Sequence, residues 1–214
     1  MTDKHLIATL ILAAACGKPA GAPAPSVTQA DADAINALVP AALKTQVQFE
    51  VGTILDDFGH HKTTYTLVLP KGWKKGFMPG SLEPADSDNF GSKTLGKTSI
   101  QVGNNCDGDC KDKDWAAVVD KVYYRQYTSG QVTGKLVKDD KRATGRTLVF
   151  HQEPKTEKNG DTEVTSGQKA TAIITTWWVA GAPHHFVCKV ELGEAAAGLE
   201  AAFGQACAKV AIAE

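Results

Sequence analysis

The chain has 214 residues, with 23 Lys and Arg against 24 Asp and Glu, for a formal net charge of −1. So even a balance leaves no broad basic field for nucleic-acid phosphates, and it excludes nucleic acid from the expected partners. Once an amino-terminal segment is set aside, about 185 residues remain, enough for one domain with its own core.

In chain order, Lys4 and His5 precede an apolar run from Leu6 to Ala15. The run is shorter than the roughly 20 apolar residues of a spanning helix and fits the apolar segment of an export signal. It closes on Leu12-Ala13-Ala14-Ala15-Cys16. This resembles the lipobox of bacterial lipoproteins, with the leucine standing four residues before the cysteine and alanine in the usual three-before place. The resemblance implies a signal peptide over residues 1–15, lipidation (palmitate) of Cys16, and a membrane-anchored protein of the bacterial cell envelope. Gly17 stands where an aspartate would imply inner-membrane retention, so the expected location is the outer membrane, facing the periplasm. Pro, Ala and Gly dominate to Thr28. Residues 16–28 therefore read as an extended tether, and residues 29–214 as a single α+β domain.

The spacing of Ile35, Leu38, Val39, Ala42 and Leu43 predicts a helix over 28–46, capped by Thr28 and kinked at Pro40. In "TTYTLVLPKGW", Tyr65, Leu67 and Leu69 share one face of a strand that Pro70 and Gly72 end. Glu50, Asp56 and Asp57 read as acids of a solvated turn, and residues 73–95 as a long polar loop. "KTSIQV" is a strand with Thr98, Ile100 and Val102 on one face. Next comes a helix capped by Asp112 or Asp114, with Trp115, Val118, Val119 and Val122 as its apolar stripe and Tyr123 and Gln126 beside it. Strands "QVTGKLV" and "GRTLVFHQ" flank a turn at "KDDKRA". A solvated loop follows, in which Asn159-Gly160 is a hairpin-turn signal. "KATAIITTWWV" and "HHFVCKVEL" are strands joined by "AGAP", and an alanine-rich helix runs from Glu194 to Ile212. The short turns make the late strands antiparallel. Ile173 and Ile174 face opposite ways, as do Trp177 and Trp178, so both faces of that sheet need covering. The expected fold is α+β, an antiparallel sheet with helices on both faces. "YTLVLPKGW" is similar to the opening strand-Pro-x-Gly-Trp element of the PsbP-like families, and the later element order matches theirs. That resemblance implies an α/β/α sandwich that acts by binding or scaffolding; it carries over no functional residues.

Cys188 shares a strand face with Phe186, Val190 and Leu192; Cys207 shares a helix stripe with Leu199, Phe203 and Val210. Two buried-face cysteines on adjacent elements of an exported chain are expected to form a disulfide. Cys106 and Cys110, in "NNCDGDCKDKDW", are then left to close a tight turn that Gly108 lets bend. Metal binding and redox chemistry are the alternatives for that pair. The neighbouring Asp107, Asp109 and Asp112 weigh against a thiolate there. An EF-hand register fails because Cys110 and Ala116 occupy the glycine and glutamate places. His60, His61, His184 and His185 come in adjacent pairs whose members point apart along a strand; with His151 they are candidate zinc ligands, but no metal or cofactor is expected. Neither a serine elbow, H-E-x-x-H, nor a glycine-rich strand-to-helix loop occurs. Lys71, Trp73, Lys74 and Lys75 form a small basic and aromatic patch, the expected contact site for an envelope protein, a glycan or a head group. The expected function is a non-enzymatic, lipid-anchored envelope protein that binds a partner or assists assembly at the membrane surface. The alternative is a periplasmic metal-handling module using the Cys106/Cys110 turn and histidines.

Overall fold

The computed structural model describes residues 26–57, 62–105, 114–159, 162–178 and 185–213. The expected signal peptide, Cys16 and the tether up to residue 25 lie outside the described residues, as do Cys106, Cys110, His60, His61 and His184. Helix α1 (Gln29–Ala37) leads through a 3-10 turn (Ala41–Leu43) to β1 (Phe49–Asp56) and β2 (Thr63–Pro70). Short strands β3 (Lys74–Lys75) and β4 (Ser81–Glu83) precede β5 (Ser99–Asn105). A helical stretch follows, made of α2 (Trp115–Val119), a π-helical turn (Asp120–Tyr124) and α3 (Arg125–Thr128). Then come β6 (Gly134–Arg142), β7 (Gly145–Gln152), β8 (Lys155–Asn159), β9 (Thr162–Ser166), β10 (Ala170–Trp178) and β11 (His185–Gly193). A 3-10 segment (Glu194–Leu199), α4 (Glu200–Ala208) and β12 (Val210–Ala213) complete the described chain.

The main sheet has the order β3-β4-β5-β11-β10-β7-β6, antiparallel throughout. A smaller sheet has the order β1-β2-β12, and β8-β9 is an exposed hairpin. Alternation along β10 divides the core. On one side Ile173, Val149, Ile100, Val102, Cys188 and Val190 pack with Tyr65 and Leu67 of β2, Ala32 and Ile35 of α1, and Phe203 and Ala206 of α4. On the other side Leu148, Phe150, Ile174 and Val187 pack under Val119 and Tyr124. Each large apolar side chain so buried contributes about 1.5–3 kcal/mol. Helical segments therefore lie against both faces, and the mixed α+β, antiparallel expectation holds at that level. The Cys188–Cys207 disulfide is present, with a Cα–Cα distance of 5.5 Å, and ties β11 to α4.

Several elements differ from their sequence expectation. Pro40 separates α1 from a 3-10 turn instead of kinking one long helix. Residues 49–56 form a strand where a solvated turn was expected. Gly52 interrupts its apolar alternation because the Leu69 side chain fills the space a β-carbon would take, 3.1 Å away. The β6–β7 turn falls at Ala143-Thr144, and "KDDKR" is part of an exposed edge strand whose charges blunt it against further pairing. The expected loop over 153–168 folds as the β8–β9 hairpin, flanking the Asn159-Gly160 signal. In the central helix Val122 is exposed and Tyr124 is buried. The π-helical turn inserts one extra residue, which rotates the next inward position from 122 to 124. The last helix ends at Ala208; Val210–Ala213 pairs with β2, so the C-terminal "VAI" is strand rather than helix.

Candidate functional site

The four residues expected to form one contact patch are dispersed. Trp73 is half-buried, its ring 5.7 Å from that of Phe203. Lys71 reaches Glu50 at 3.9 Å, and Lys75 reaches Asp57 at 3.4 Å. The Lys74 ammonium donates to the Ser87 carbonyl. Lys74 and Lys75, adjacent on β3, point to opposite sides of the strand. The two described candidate histidines, His151 and His185, do not converge either. His151 pairs with Glu200 at 2.7 Å at one end of the sheet. Its register partner on β10 is Thr171, whereas that of His185 is Trp178. Seven residues of strand separate the two levels, about 23 Å. Among the described residues no group of three or more His, Cys, Asp or Glu is placed to hold a metal.

Two features that sequence reasoning missed are geometrically distinctive. The first is at the β3–β4 edge of the main sheet. Phe77 is 96% exposed and Phe90 87% exposed. Phe77 lines a groove of about 470 Å³ together with Asn89 and Gly91, the neighbours of Phe90. Gly91, at φ +111°, makes the tight turn that displays Phe90. The groove's charges are mixed: Lys74 and Lys97 against Glu83, Asp88 and Glu191. Phe77-Met78 between Gly76 and Pro79-Gly80 was the available signal, two large apolar residues on a turn that is otherwise polar.

The second feature is a cleft of about 260 Å³ on the helical-stretch side of the main sheet, beyond the edge of the central helix. Its floor is Gln101 and Gly103 of β5 beside Lys189 and Val187 of β11. Met78-Pro79, Tyr123, Asn104 and Asp56 form the walls. Asp56 is only 5% exposed and accepts a hydrogen bond from the Asn104 backbone N–H at 3.2 Å. Burial, with the Asp56 charge close by, pushes the Tyr65 phenol above its ordinary range. Tyr123 reaches the cleft because the π-helical turn sends it one way and Tyr124 the other. Its hydroxyl lies 3.2 Å from Nε2 of His185, a fully buried ring packed between Tyr123 and Trp115. Nothing in the sequence marked Asp56 as buried, since the strand that carries it is hidden by Gly52.

On β7, two strands from β11, Arg146 fastens the helical stretch to the sheet. Its guanidinium, with 7% of the side chain exposed, donates to both Asp139 oxygens at 2.7 and 2.9 Å and to Asp120 at 2.6 Å. It also lies 4.3 Å from the centre of the Tyr124 ring, whose hydroxyl donates to the Arg146 carbonyl. Burial alone would lower the Arg146 pKa, but the two carboxylates outweigh it and raise it.

No protein-family model matches the chain, and no curated protein matches it. Among solved structures it is similar to the Ran-binding protein Mog1p of Saccharomyces cerevisiae, at 12% identity and a TM-score of 0.44, over 76% of this chain and 95% of that one.

Proposed function

We propose that this is a lipid-anchored protein of the bacterial envelope that works without catalysis, by binding another envelope protein at the β3–β4 edge of its main sheet. The observation that carries the binding role is the exposure of Phe77 and Phe90 beside one groove. Large apolar side chains open to water mark interaction sites. Aromatic anchors within a polar rim are the anatomy of a protein–protein interface. The groove's mixed charges favour a protein over an anionic bilayer, which selects one-signed basic clusters. The lipobox ending at Cys16 supports the anchor. The buried Cys188–Cys207 disulfide supports an oxidising compartment outside the cytosol. We read the architecture as an α/β/α sandwich of the PsbP-like kind, on the strength of helical segments against both faces of an antiparallel sheet.

The test is co-purification from native envelopes of the parent and of a Phe77→Ser/Phe90→Ser variant, with mass spectrometry of the mature N-terminus. The expected results are an acylated Cys16 and a co-purifying protein that the double variant loses while its melting temperature stays within a degree or two. An unmodified start anywhere in residues 14–20 overturns the anchor. Partner recovery that is unchanged by the double variant overturns the interface.

A further inference from the structure

We infer that the outer edge of β1 is the seat of a second copy of this chain, paired strand to strand about a two-fold axis at Thr53. The inference goes beyond the proposed interface and uses the edge of the other sheet.

The hydrogen bonds at the start of β1 fix which of its backbone groups face outward. Phe49 is in register with Pro70, which has no N–H to give. The Phe49 N–H and carbonyl turn the other way, to the side-chain amide of Asn36, at 2.7 and 2.8 Å. One residue earlier, the Gln48 carbonyl faces β2 and accepts from the Lys71 N–H at 2.7 Å. Inward and outward positions alternate along an antiparallel pair. Val51, Thr53 and Leu55 therefore turn their backbone groups outward, as Phe49 does.

Asn36 stands in for a neighbouring strand at Phe49 and closes the edge there. Beyond it the edge is open. The small sheet ends at β1 on this side. Among the described residues, no hydrogen bond reaches the outward N–H and carbonyl groups of Val51, Thr53 and Leu55. Thr53 is exposed, and Leu55 is 48% exposed. An open edge that carries an exposed apolar side chain is a template for another strand.

The edge is complementary to itself, which selects a second copy as the occupant. A two-fold axis at Thr53 sets Thr53 against its counterpart and Val51 against Leu55 of the other copy. Each outward N–H then meets a carbonyl, and the same patch serves both copies. Leu55 covers the half-buried Val51 across the pair, twice by symmetry, and such apolar pairs stabilise a sheet. The alignment carries Asp57 of one copy level with Phe49 of the other, at the groove that Lys44 and Lys71 line. Opposite charges thus meet at both ends of the pairing. Glu50 falls opposite Asp56 of the other copy, but Lys71 already lies 3.9 Å from Glu50 and offsets the like charge. A register one step toward the start of β1 would set Leu55 against Phe49, whose groups Asn36 holds.

The test is analytical ultracentrifugation of the full chain, with cysteine cross-linking to read the register. The parent should dimerise with a Kd below about 100 μM. Thr53→Pro removes only an outward N–H, and proline is tolerated on edge strands; it should weaken the dimer about tenfold or more. At a hydrogen-bonded site opposed Cα atoms stand about 5.5 Å apart, within disulfide reach. Mild oxidation should therefore join Thr53→Cys chains into a covalent dimer. Leu55→Cys chains, whose cysteines lie on opposite sides of the axis, should not be joined. This cysteine pair decides the case if Thr53→Pro fails to fold. The Phe77→Ser/Phe90→Ser variant should dimerise like the parent, so this inference and the proposed interface fail separately. The inference is overturned if the parent stays monomeric at about 1 mM, if a folded Thr53→Pro dimerises like the parent, or if Leu55→Cys cross-links as readily as Thr53→Cys.

Discussion

Replacing Cys188 and Cys207 together by alanine should lower folding stability by about 3 kcal/mol. The bond links residues 19 apart in sequence, and for a loop of that length the chain-entropy model gives about 3 kcal/mol at 25 °C. Alanine is the informative replacement. Both cysteines are fully buried among apolar side chains, and a serine hydroxyl without a partner there would add about 1–3 kcal/mol of its own. Residual cavity left by the lost sulfurs moves the expected value upward, toward about 4 kcal/mol. For a chain of this size 3 kcal/mol corresponds to a Tm drop of about 6–12 °C. Urea unfolding followed by tryptophan fluorescence reads it directly. Trp177 stacks on Phe186, 5.6 Å between ring centres and two residues from Cys188. Trp73 packs on Phe203, one helical turn from Cys207. A shift below about 1 kcal/mol at unchanged slope would falsify the view that this bond constrains the chain. The Cys106→Ala/Cys110→Ala variant should lose less, because its loop is far shorter. Non-reducing peptide mapping should recover 188 with 207 and 106 with 110; a pairing of Cys106 with Cys188 contradicts the assignment.

Arg146→Met should cost about 3 kcal/mol, the low end for breaking a buried ion pair, because Asp120 keeps 42% of its side chain exposed and can be solvated. Arg146→Lys should restore little, since a lysine cannot hold both Asp139 oxygens and stack on Tyr124; equal denaturant midpoints for Arg146→Lys and the parent would contradict this. Asp31 is held at about 2, below the ordinary 3.8, first by the Lys209 hydrogen bond and then by Thr28. Its folded-state pKa is depressed, so its contribution is present above about pH 4 and lost as pH falls toward 2. The gap in melting temperature between the parent and Asp31→Asn should therefore be constant from pH 7 to 5 and close between pH 4 and 2. A gap that persists at pH 2 rules out the carboxylate as its source.

Where burial follows strict alternation, the sequence was readable. Tyr65, Leu67 and Leu69, and the opposed pair Ile173 and Ile174, announce both their strands and the faces they cover. Cys188 and Cys207 could be paired from face and stripe alone. Legibility failed where a single residue breaks a period. Gly52 removes one apolar position from β1, so Phe49, Ile54 and Asp56 do not read as one strand. The extra residue in the π-helical turn keeps Val122 on the expected stripe in projection while the structure buries Tyr124. "VAIA" at the chain's end has no local signal to separate strand from helix, because pairing with β2 decides it. The candidate sites were hidden for a related reason. Asp56, Tyr123 and Lys189 come from three distant stretches, and no spacing rule brings them to one cleft. Phe77 and Phe90 were legible as residue types, but nothing local fixes how far each stands out from the surface.

The pairing of β12 with β2 also sets a timetable. Residues 210–213 convert β2 from an open edge into the middle strand of its sheet. The Lys209 ammonium reaches back 178 residues to clasp Asp31 at 2.8 Å. Neither contact can form until the stretch after α4 has emerged from the ribosome. Until then α1 lacks its clasp, and the β2 backbone stays open to chaperones or to stray strands. Contacts of such long sequence separation close slowly. The fold therefore stays open around α1 and β2 until residues 209–213 have been made.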